Sequence, residues 1–305
     1  MSTLVTGGTG FVGRYIVDDL VESGTPVVSY NRDFAVTDRQ GVTCVQGELF
    51  DLPRLVRAIA EHDVDTIIHT AAQSHPEVSI DLPTTTFAAN VDGTLAVFEA
   101  ARMSPNPPRI VNFSSECAYG DQDEQTPVTE ASTPQPNTPY GVTKVATEML
   151  GRVYGATYGI DIVSLRVTEI YGPGLRMPEI LKDMLVAALS GESFVLEHGG
   201  SHRFHFVHAG DVARAAVLAA ATPKLPLHVY NITGGEQLTL AETAELIRAQ
   251  VPGASITLGD GYWPGWDRQG PFDISAAAKD LGWRPQISPA AGIASYIEWL
   301  MHHDH

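Results

Sequence analysis

The N-terminal stretch MSTLVTGGTGFVGR constrains the fold of this chain more than any other stretch does. Leu4 and Val5 predict a short buried strand, and apolar residues at 11, 12, 15, 16 and 20 predict a helix after it. Between them, Gly7 allows a tight turn, Gly10 lets the backbone approach a pyrophosphate, and Gly13 lets the helix pack close to the sheet. A strand, a glycine turn and a helix in this order are typical of a dinucleotide-binding site.

Strands and helices alternate through the first half of the chain. Further strands are predicted at 26–30, 42–45, 65–69, 109–113 and 160–166, and helices at 52–61, 84–102 and 140–158. This alternation predicts an α/β fold with a Rossmann-type doubly wound parallel sheet. Since ligands of such sheets bind at the carboxyl ends of the strands, we expect the strand ends to face one cleft.

The second half has a less regular pattern. Helices are predicted at 178–190, 209–221, 239–250, 275–281 and 288–301, with short strands and loops between them. We therefore expect residues 1–170 to form the dinucleotide-binding domain, with returning segments near 204–230. Residues 171–305 are expected to form mainly a smaller C-terminal substrate-binding lobe.

The formal net charge of −17 argues against a nucleic-acid partner and against an anionic membrane surface. Apolar runs stay well short of the roughly 20 residues of a membrane span. The first predicted strand begins almost at Met1, which leaves no room for a signal peptide, so we expect a cytoplasmic protein. Cys44 and Cys117 are not spaced in the chain as metal ligands usually are. The histidines at 202, 205 and 208 are interpreted as residues that pack in the protein interior. No metal site is expected.

The end of the second predicted strand bears on the choice of cofactor. In dinucleotide folds an acid at this place holds the 2′-hydroxyl of NAD, whereas a nearby arginine accommodates the 2′-phosphate of NADP. Asn31 occupies the position of the acid and Arg32 follows it, which favours NADP over NAD. Asp33 would serve as the acid if the strand ends two residues later.

Tyr140 and Lys144 are four residues apart on a predicted helix and therefore share one face. A nearby lysine cation and an oxidised nicotinamide favour the phenolate of a tyrosine. Tyr140 is thus a candidate general base toward a substrate hydroxyl, or an acid in the reverse direction. Ser115, at the end of the preceding strand, is placed to hydrogen-bond the same oxygen.

At this point the chain resembles the extended short-chain dehydrogenases/reductases of the NAD-dependent epimerase/dehydratase type, among them nucleotide-sugar 4-epimerases. The resemblance covers nearly the whole chain. It depends on TGGTGFVG at 6–13, HTAAQSH at 69–75, NVDGT at 90–94, FSSECAYG at 113–120, YGVTK at 140–144, LRVTEIYGPG at 165–174, RFHFVHAGDVA at 203–213, YNITGGE at 230–236 and DIS…LGW at 273–283.

The resemblance implies a role for each matching residue. The catalytic set would be Ser115, Tyr140 and Lys144. The residues implied to hold the dinucleotide are Gly7, Gly10, Phe11, Val12, Gly13, Asn31, Arg32, Glu48, Leu49, Ala71, Ala72, Asn90 and Lys144. The residues implied to contact the substrate are Ser74, Glu116, Glu169, Arg203 and Arg268, with the two arginines on a diphosphate. A homodimer is also expected.

Three positions depart from the family pattern, the first being Asn31 in place of the acid expected for NAD. Sugar 4,6-dehydratases carry two acids after the catalytic hydroxyl, but Glu116 is followed here by Cys117, which disfavours dehydration. Glu169 stands where the family usually has an asparagine close to the substrate diphosphate.

Three functions remain open from the sequence. The first is a nucleotide-sugar epimerase that uses transient hydride transfer. The second is a keto-sugar reductase or sugar dehydrogenase, acting on a nucleotide sugar or on a substrate without a nucleotide. The third is a non-catalytic dinucleotide sensor, against which the intact Ser115, Tyr140 and Lys144 set argues.

Overall fold

A computed structural model of the chain describes residues 1–33 and 39–303. The strands, in chain order, are β1 Ser2–Thr6, β2 Val27–Asn31, β3 Val42–Gln46, β4 Val64–His69, β5 Arg109–Ser115, β6 Ile162–Val167, β7 Ile170–Tyr171, β8 Ser193–Leu196, β9 Arg203–Phe204, β10 Val207–His208, β11 Val229–Ile232, β12 Leu238–Thr239 and β13 Ser255–Leu258. The α-helices are α1 Phe11–Glu22, α2 Leu52–Glu61, α3 Pro76–Asp81, α4 Pro83–Phe87, α5 Gly93–Met103, α6 Pro139–Tyr158, α7 Ile180–Ser190, α8 Ala209–Ala221, α9 Leu240–Gln250 and α10 Pro289–Leu300.

A seven-stranded parallel sheet runs through the described part of the chain in the order β11-β6-β5-β4-β1-β2-β3. The chain winds outward from β1 in one direction through β2 and β3, and in the other through β4, β5 and β6. The predicted doubly wound Rossmann-type sheet is confirmed. The order reverses between β1 and β4, where a crevice opens at the carboxyl ends of the strands.

Helices cover both faces of the sheet. One buried core joins β1, β5 and β6 to α1 and α8, with Ile16, Val212 and Trp283 among its members. The other core joins the opposite face to α2, α5 and α6, with Leu55 and Phe98 fully buried. Burial on both faces explains why the central strands carry adjacent apolar residues, such as Leu4–Val5, Ile67–Ile68 and Ile110–Val111, rather than alternating ones.

A third core lies in the second half of the chain. It packs α7, α9 and α10 together with the paired strands β8 and β13, and Met184, Leu240 and Tyr296 are fully buried in it. Strand β11, although late in the chain, belongs to the main sheet beside β6.

The helix predicted at 84–102 is interrupted. The structure has α4, then a π-helical segment at Ala88–Asp92, and then α5. A π-turn adds a residue to the turn and changes which side chains face the sheet. A second π-helical segment, Ala277–Leu281, occupies most of the helix predicted at 275–281.

Local signals fix the helix that carries Tyr140. The Thr138 side chain accepts a hydrogen bond from the backbone N–H of Gly141, and Pro139 occupies the first helical position. Both features favour a helix start here. Helix α6 ends at Gly159, whose φ of +71° is in the left-handed region that glycine tolerates. Tyr140 therefore lies in the first turn of α6.

Across residues 1–33 and 39–303, the helices are all too short or too polar to cross a membrane.

Candidate active site

The carboxyl ends of the sheet strands open into a cavity of about 1090 Å³. It runs from the glycine turn after β1, past the ends of β4, β5 and β6, to Trp263 and Trp266 in the second half. A cleft of this volume at a topological switch point is typical of a cofactor and substrate site.

The glycine turn forms one wall of the cavity. Gly7 has a φ of +72°, and the backbone N–H of Gly10 donates to the carbonyl of Gly7 at 2.8 Å. A Cβ on Gly13 would lie 2.0 Å from that same carbonyl oxygen, so the third glycine lets α1 pack against the turn itself. This differs from the predicted packing of Gly13 against the sheet.

The first turn of α1 lines the cavity through Phe11 and Val12. Its N-cap is Gly10, which has no side chain to occupy the N–H groups at the start of the helix. Those groups and the positive end of the helix dipole are suited to a pyrophosphate. The chain around the turn thus fits a dinucleotide without a side chain in its way.

The residue at the end of β2 is an amide whose hydrogen bonds are made within the protein, rather than an acid that is open to a ribose. Asn31 is the last strand residue and is 5% exposed. Its Oδ1 accepts from both the backbone N–H and the hydroxyl of Thr9, and its Nδ2 donates to the backbone carbonyl and hydroxyl of Ser29. Asn31 therefore ties β2 to the glycine turn.

Arg32 and Asp33 follow at the rim of the cavity. Their side chains are 73% and 85% exposed, and Arg32 Nε lies 3.7 Å from Asp33 Oδ1. Glu48 and Leu49, after β3, line the same part of the cavity. The backbone carbonyl of Glu48 accepts a hydrogen bond from the Tyr30 hydroxyl, which fixes this loop on β2.

Ala71 and Ala72, after β4, line the opposite side of the cavity, as expected from the sequence. Asn90 does not lie on the lining: it is 2% exposed inside the π-helical segment. Its Oδ1 accepts from the backbone N–H of Gln73, and its Nδ2 donates to the Gln73 carbonyl and to the Thr143 hydroxyl. Asn90 thus holds the loop after β4, and its contact with a cofactor stays a prediction.

Ser115, Tyr140 and Lys144 all line the cavity. Ser115 is the last residue of β5, and its hydroxyl accepts from the backbone N–H of Cys117 at 3.2 Å. Burial raises the pKa of Tyr140, the Cys117 thiol adds to this, and a hydrogen bond with Ser115 opposes it. The structure therefore brings the predicted set together.

Lys144 is buried beneath the tyrosine. Its Nζ donates to the backbone carbonyl of Phe113 at 2.8 Å and lies 5.4 Å from the centre of the Tyr140 ring. Burial lowers the pKa of Lys144 to about 8, although the Cys117 thiol and the Glu148 carboxylate oppose this. When protonated, the amine is thus positioned to stabilise the phenolate form of Tyr140.

An ion pair that the sequence prediction missed supports this arrangement. Arg166 of β6 donates to both carboxylate oxygens of Glu148 of α6, at 2.8 and 2.6 Å, and both side chains are at most 3% exposed. Ser114 donates to the same carboxylate. The available signal was Arg166, the one charged residue of the fully buried strand β6, because a buried charge requires a partner.

Carboxyl groups crowd the substrate end of the cavity. Glu116, Glu169 and Glu179 all line it. Burial raises the pKa of Glu169 to about 7 and that of Glu179 to about 8, and it raises the pKa of Glu116 well above its usual range. Glu179 also accepts from two backbone N–H groups at the start of α7, so its position is fixed by the helix.

Ser74 lies on the lining, and its hydroxyl is 3.6 Å from the Met177 sulfur. Arg268 lines a smaller pocket that shares Trp263 and Trp266 with the main cavity. Its guanidinium lies over the Tyr262 ring, 5.4 Å from the centre, and 3.9 Å from Glu124. Arg268 is therefore at the outer end of the substrate region.

Arg203 is oriented differently. It is exposed on β9, and the lining of both pockets is formed by other residues. The next residue, Phe204, is buried and packs against Trp266 with ring centres 5.5 Å apart. Because successive strand residues point to opposite sides, the inward position belongs to Phe204. A diphosphate contact for Arg203 stays a prediction.

The histidines at 202, 205 and 208 pack separately against aromatic rings, His202 on Phe204 and His205 on Phe272. Within the part of the chain that the structure describes, no three His, Cys, Asp or Glu side chains are arranged to hold a metal ion.

Known proteins share both the sequence pattern and the fold. Residues 3–233 match the model of a family described as the NAD dependent epimerase/dehydratase family. A dTDP-glucose 4,6-dehydratase from Streptomyces antibioticus is 30% identical over an alignment 318 residues long. The alignment covers 98% of this chain and 92% of that protein.

Two solved structures add bound ligands to the comparison. The UDP-glucose 4-epimerase of Thermus thermophilus, in complex with NAD, is 28% identical, with a TM-score of 0.87 and 99% coverage of both chains. MoeE5 in complex with UDP-glucose and NAD is 29% identical, with a TM-score of 0.88 and 99% coverage of both chains. A second structure of MoeE5 contains UDP-glucuronic acid and NAD.

Proposed function

Since this chain belongs to the NAD-dependent epimerase/dehydratase family, we propose that it is a nucleotide-sugar epimerase. The single observation that carries the proposal is the meeting of Ser115, Tyr140 and Lys144 in a cleft that also contains the glycine turn. Relatives with the same fold bind NAD together with UDP-sugars. The reaction inverts one hydroxyl-bearing carbon of the sugar.

The dinucleotide would be held by Gly7, Gly10 and the first turn of α1 at its pyrophosphate, and by Ala71 and Ala72 farther along. When bound, NAD supplies an acceptor that takes a hydride from the sugar and later returns it. Lys144, fixed by the Phe113 carbonyl, would hold the nicotinamide ribose and act on the charge of Tyr140.

Tyr140 is the proposed acid–base group. Its phenolate takes the proton of the sugar hydroxyl while the carbon loses its hydride, so the alcohol becomes a ketone. Ser115 donates a hydrogen bond to the same sugar oxygen. Once the ketone has rotated within the site, the hydride would be returned to its other face and Tyr140 would give the proton back. The cofactor would therefore end in its starting oxidation state.

Dehydration is the alternative reaction within the family, and it is the activity of the Streptomyces relative. It requires an acid and a base beside Ser115. Glu116 supplies a carboxyl group, but the next residue is Cys117, whose pKa burial raises well above its usual range. A protonated thiol is a poor base, which favours epimerisation.

A sugar panel tests the reaction. We expect incubation with NAD and UDP-glucose or a related nucleotide sugar to give a product of unchanged mass with one inverted carbon, detected by mass spectrometry and NMR. Absorbance at 340 nm should show no net formation of reduced nicotinamide. Loss of one water would identify a dehydratase, and steady formation of NADH or NADPH would identify a net oxidoreductase.

We further propose that Arg268 contacts the diphosphate of the nucleotide. Arginine suits this task because its planar group bonds two phosphate oxygens at once. Arg57 provides a matched control, since it is exposed on α2 and is absent from the lining of both pockets. Calorimetry with UDP and dTDP should show weaker binding for Arg268→Ala and unchanged binding for Arg57→Ala.

For the cofactor, we propose that Arg32 gives NADP an advantage over NAD. Its side chain is free to reach a 2′-phosphate at the rim, whereas the Asn31 amide is occupied by Thr9 and Ser29. Relatives with the same fold contain NAD, which would place Asp33 on the ribose hydroxyls if this chain behaves as they do.

Pairing with a second copy of the chain is also proposed. Val142, Met149 and Val153 are exposed along one stripe of α6, at intervals of seven and four residues, and Phe87 is exposed on neighbouring α4. An apolar stripe at helical spacing is suited to a helix–helix interface. Light scattering should give the mass of a dimer, and Met149→Glu with Val153→Glu should give a monomer, whereas Met301→Glu should not.

A further inference from the structure

Two carboxyl groups meet beside the proposed catalytic set. Glu116 follows Ser115 at the end of β5, and Glu169 follows the end of β6. Strands β5 and β6 are neighbours in the sheet, with Ser115 opposite Val167. The two side chains line the cavity and lie close enough together for each to shift the pKa of the other. The sheet register itself therefore creates this carboxyl pair.

Two neighbouring buried carboxyl groups favour a protonated state for one of them, because a protonated group can donate to the other whereas two carboxylates only accept. Burial raises the pKa of Glu116 well above its usual range and that of Glu169 to about 7, so the pair carries at most about one negative charge at neutral pH. Among the ion pairs of the described residues, none includes Glu116 or Glu169.

The hydroxyl of Thr168, next to Glu169 in the chain, has no hydrogen-bond partner among the described residues. Thr168 is 3% exposed, lines the cavity, and its hydroxyl oxygen has no hydrogen-bond partner in the structure. A buried hydroxyl without a partner costs free energy that a ligand hydroxyl would recover. The carboxyl pair and Thr168 thus offer a ligand hydrogen-bond donors and acceptors that carry no positive charge.

The carboxyl pair lies beside Tyr140, the residue expected to contact the reacting hydroxyl of the sugar. Glu116 is adjacent to Ser115 in the chain, and both carboxyl groups are close enough to Tyr140 to contribute to its raised pKa. Any sugar whose hydroxyl reaches Tyr140 must therefore present a substituent toward the pair.

We propose that the Glu116–Glu169 pair selects nucleotide sugars with a neutral hexose and rejects those whose sugar carries a carboxylate. This inference rests on the proposed nucleotide-sugar function. A sugar hydroxyl donates to the ionised member of the pair and accepts from the protonated one. A sugar carboxylate would instead place a second negative charge beside two buried carboxyl groups that have no ion-pair partner among the described residues, and such like-charge contacts suppress wrong partners.

The test compares UDP-glucose with UDP-glucuronic acid as substrates. If the protein binds dTDP but not UDP, the dTDP forms of the same two sugars are compared instead. For the wild-type protein at pH 7.5, we expect kcat/KM for the neutral sugar to exceed that for the acid at least 100-fold. Glu169→Gln should reduce this ratio at least tenfold, mainly through a lower KM for the acid. Glu192→Gln removes an exposed charge at the end of α7 and should leave the ratio unchanged.

A pH series gives a second readout that a merely structural role would not produce. As the pH falls from 8 to 6, Glu169 takes up a proton, whereas the sugar carboxylate stays ionised. The wild-type ratio should therefore shrink toward that of Glu169→Gln, and the ratio of the variant should stay flat.

The outcomes separate the two proposals. If the nucleoside diphosphate alone does not bind, the nucleotide-sugar function is overturned, and the selection proposal with it. If it binds but the wild-type protein prefers the acid, or Glu169→Gln leaves the ratio unchanged, only the selection proposal is overturned. If a variant loses turnover, calorimetry measures the affinities of the neutral and the acidic nucleotide sugar, and the ratio of these affinities replaces the ratio of kcat/KM values.

Discussion

Lys144 Nζ lies 5.4 Å from the centre of the Tyr140 ring and is held there by the backbone carbonyl of Phe113. The amine is thus fixed by β5 rather than by the phenol that it is expected to influence. Tyr140 and Lys144 share a face of α6, but the strand beside the helix sets their distance from Ser115. This relationship leads to the first two predictions.

Tyr140→Phe should lower kcat by about 10²- to 10⁴-fold, because the hydroxyl that moves the proton is removed while the ring remains to pack. Dinucleotide binding, measured by calorimetry, should be nearly unchanged. Tyr158→Phe, on the exposed end of the same helix, is the control and should keep the wild-type rate. A near-normal rate for Tyr140→Phe would show that another group carries the proton.

Lys144→Ala should lower both kcat and dinucleotide affinity, because the amine is expected to touch the nicotinamide ribose and to favour the phenolate. Lys224→Ala, in the loop after α8, removes a charge without affecting the cavity and is the control. Single-turnover rates and calorimetry separate the two effects. Loss of rate with unchanged affinity would remove the ribose contact from the proposal.

Arg32→Ala should weaken NADP binding by a factor of roughly 10 to 100 relative to NAD, since a hydrogen bond to a charged group contributes about 1.5–3 kcal/mol. Titration of both cofactors into the wild type and the variant measures this. Asp33→Asn is the matched variant: if Asp33 holds the ribose, it should weaken NAD binding instead. Equal changes for the two cofactors in Arg32→Ala would contradict the NADP preference.

Glu148→Ala should destabilise the protein by about 3–5 kcal/mol, because it leaves the Arg166 guanidinium buried without its carboxylate. Chemical denaturation measures the free energy of unfolding. Glu245→Ala breaks the exposed pair with Arg248 and should cost less than about 1 kcal/mol. Similar costs for the two variants would mean that water or another group compensates Arg166.

Glu169→Gln should raise the melting temperature at pH 8 and leave it nearly unchanged at pH 4.5. Burial raises the pKa of Glu169 from 4.5 to about 7 in the folded protein. Between these values the unfolded chain loses the proton while the folded protein keeps it, so stability falls as the pH rises through this window. The neutral glutamine avoids that loss.

Differential scanning fluorimetry across pH 4.5 to 8 follows this effect, with Glu192→Gln as the exposed control. The difference between Glu169→Gln and the wild type should grow through the window and level off above it. A constant difference at all pH values would show that packing, not ionisation, separates the two proteins.

The sequence predicted the sheet and the glycine turn because their signals are local. A buried parallel strand is a continuous apolar run, and the turn after β1 requires glycines at fixed positions. The helix that carries Tyr140 was also predictable from Thr138, Pro139 and its apolar spacing. The division into a domain at 1–170 and a lobe at 171–305 stays a prediction.

The sequence was less informative where a side chain's direction depends on the surrounding packing. Arg203 matched a motif, but β9 turns it outward and places Phe204 inside. Asn90 matched a cofactor position, but a π-turn buries it against Gln73 and Thr143. A one-residue change in strand or helix register reverses such assignments, and motif letters do not specify the register.

The sequence by itself determined the fold class, the place of the dinucleotide turn and the order of Ser115, Tyr140 and Lys144, since these follow from residue types at short spacing. Only the tertiary structure brought Glu116 and Glu169 together and paired Glu148 with Arg166. These residues are far apart in the chain, and β5, β6 and α6 unite them through sheet register and helix packing. Burial then decides their protonation, because charge is costly wherever the fold excludes water and supplies no opposite charge.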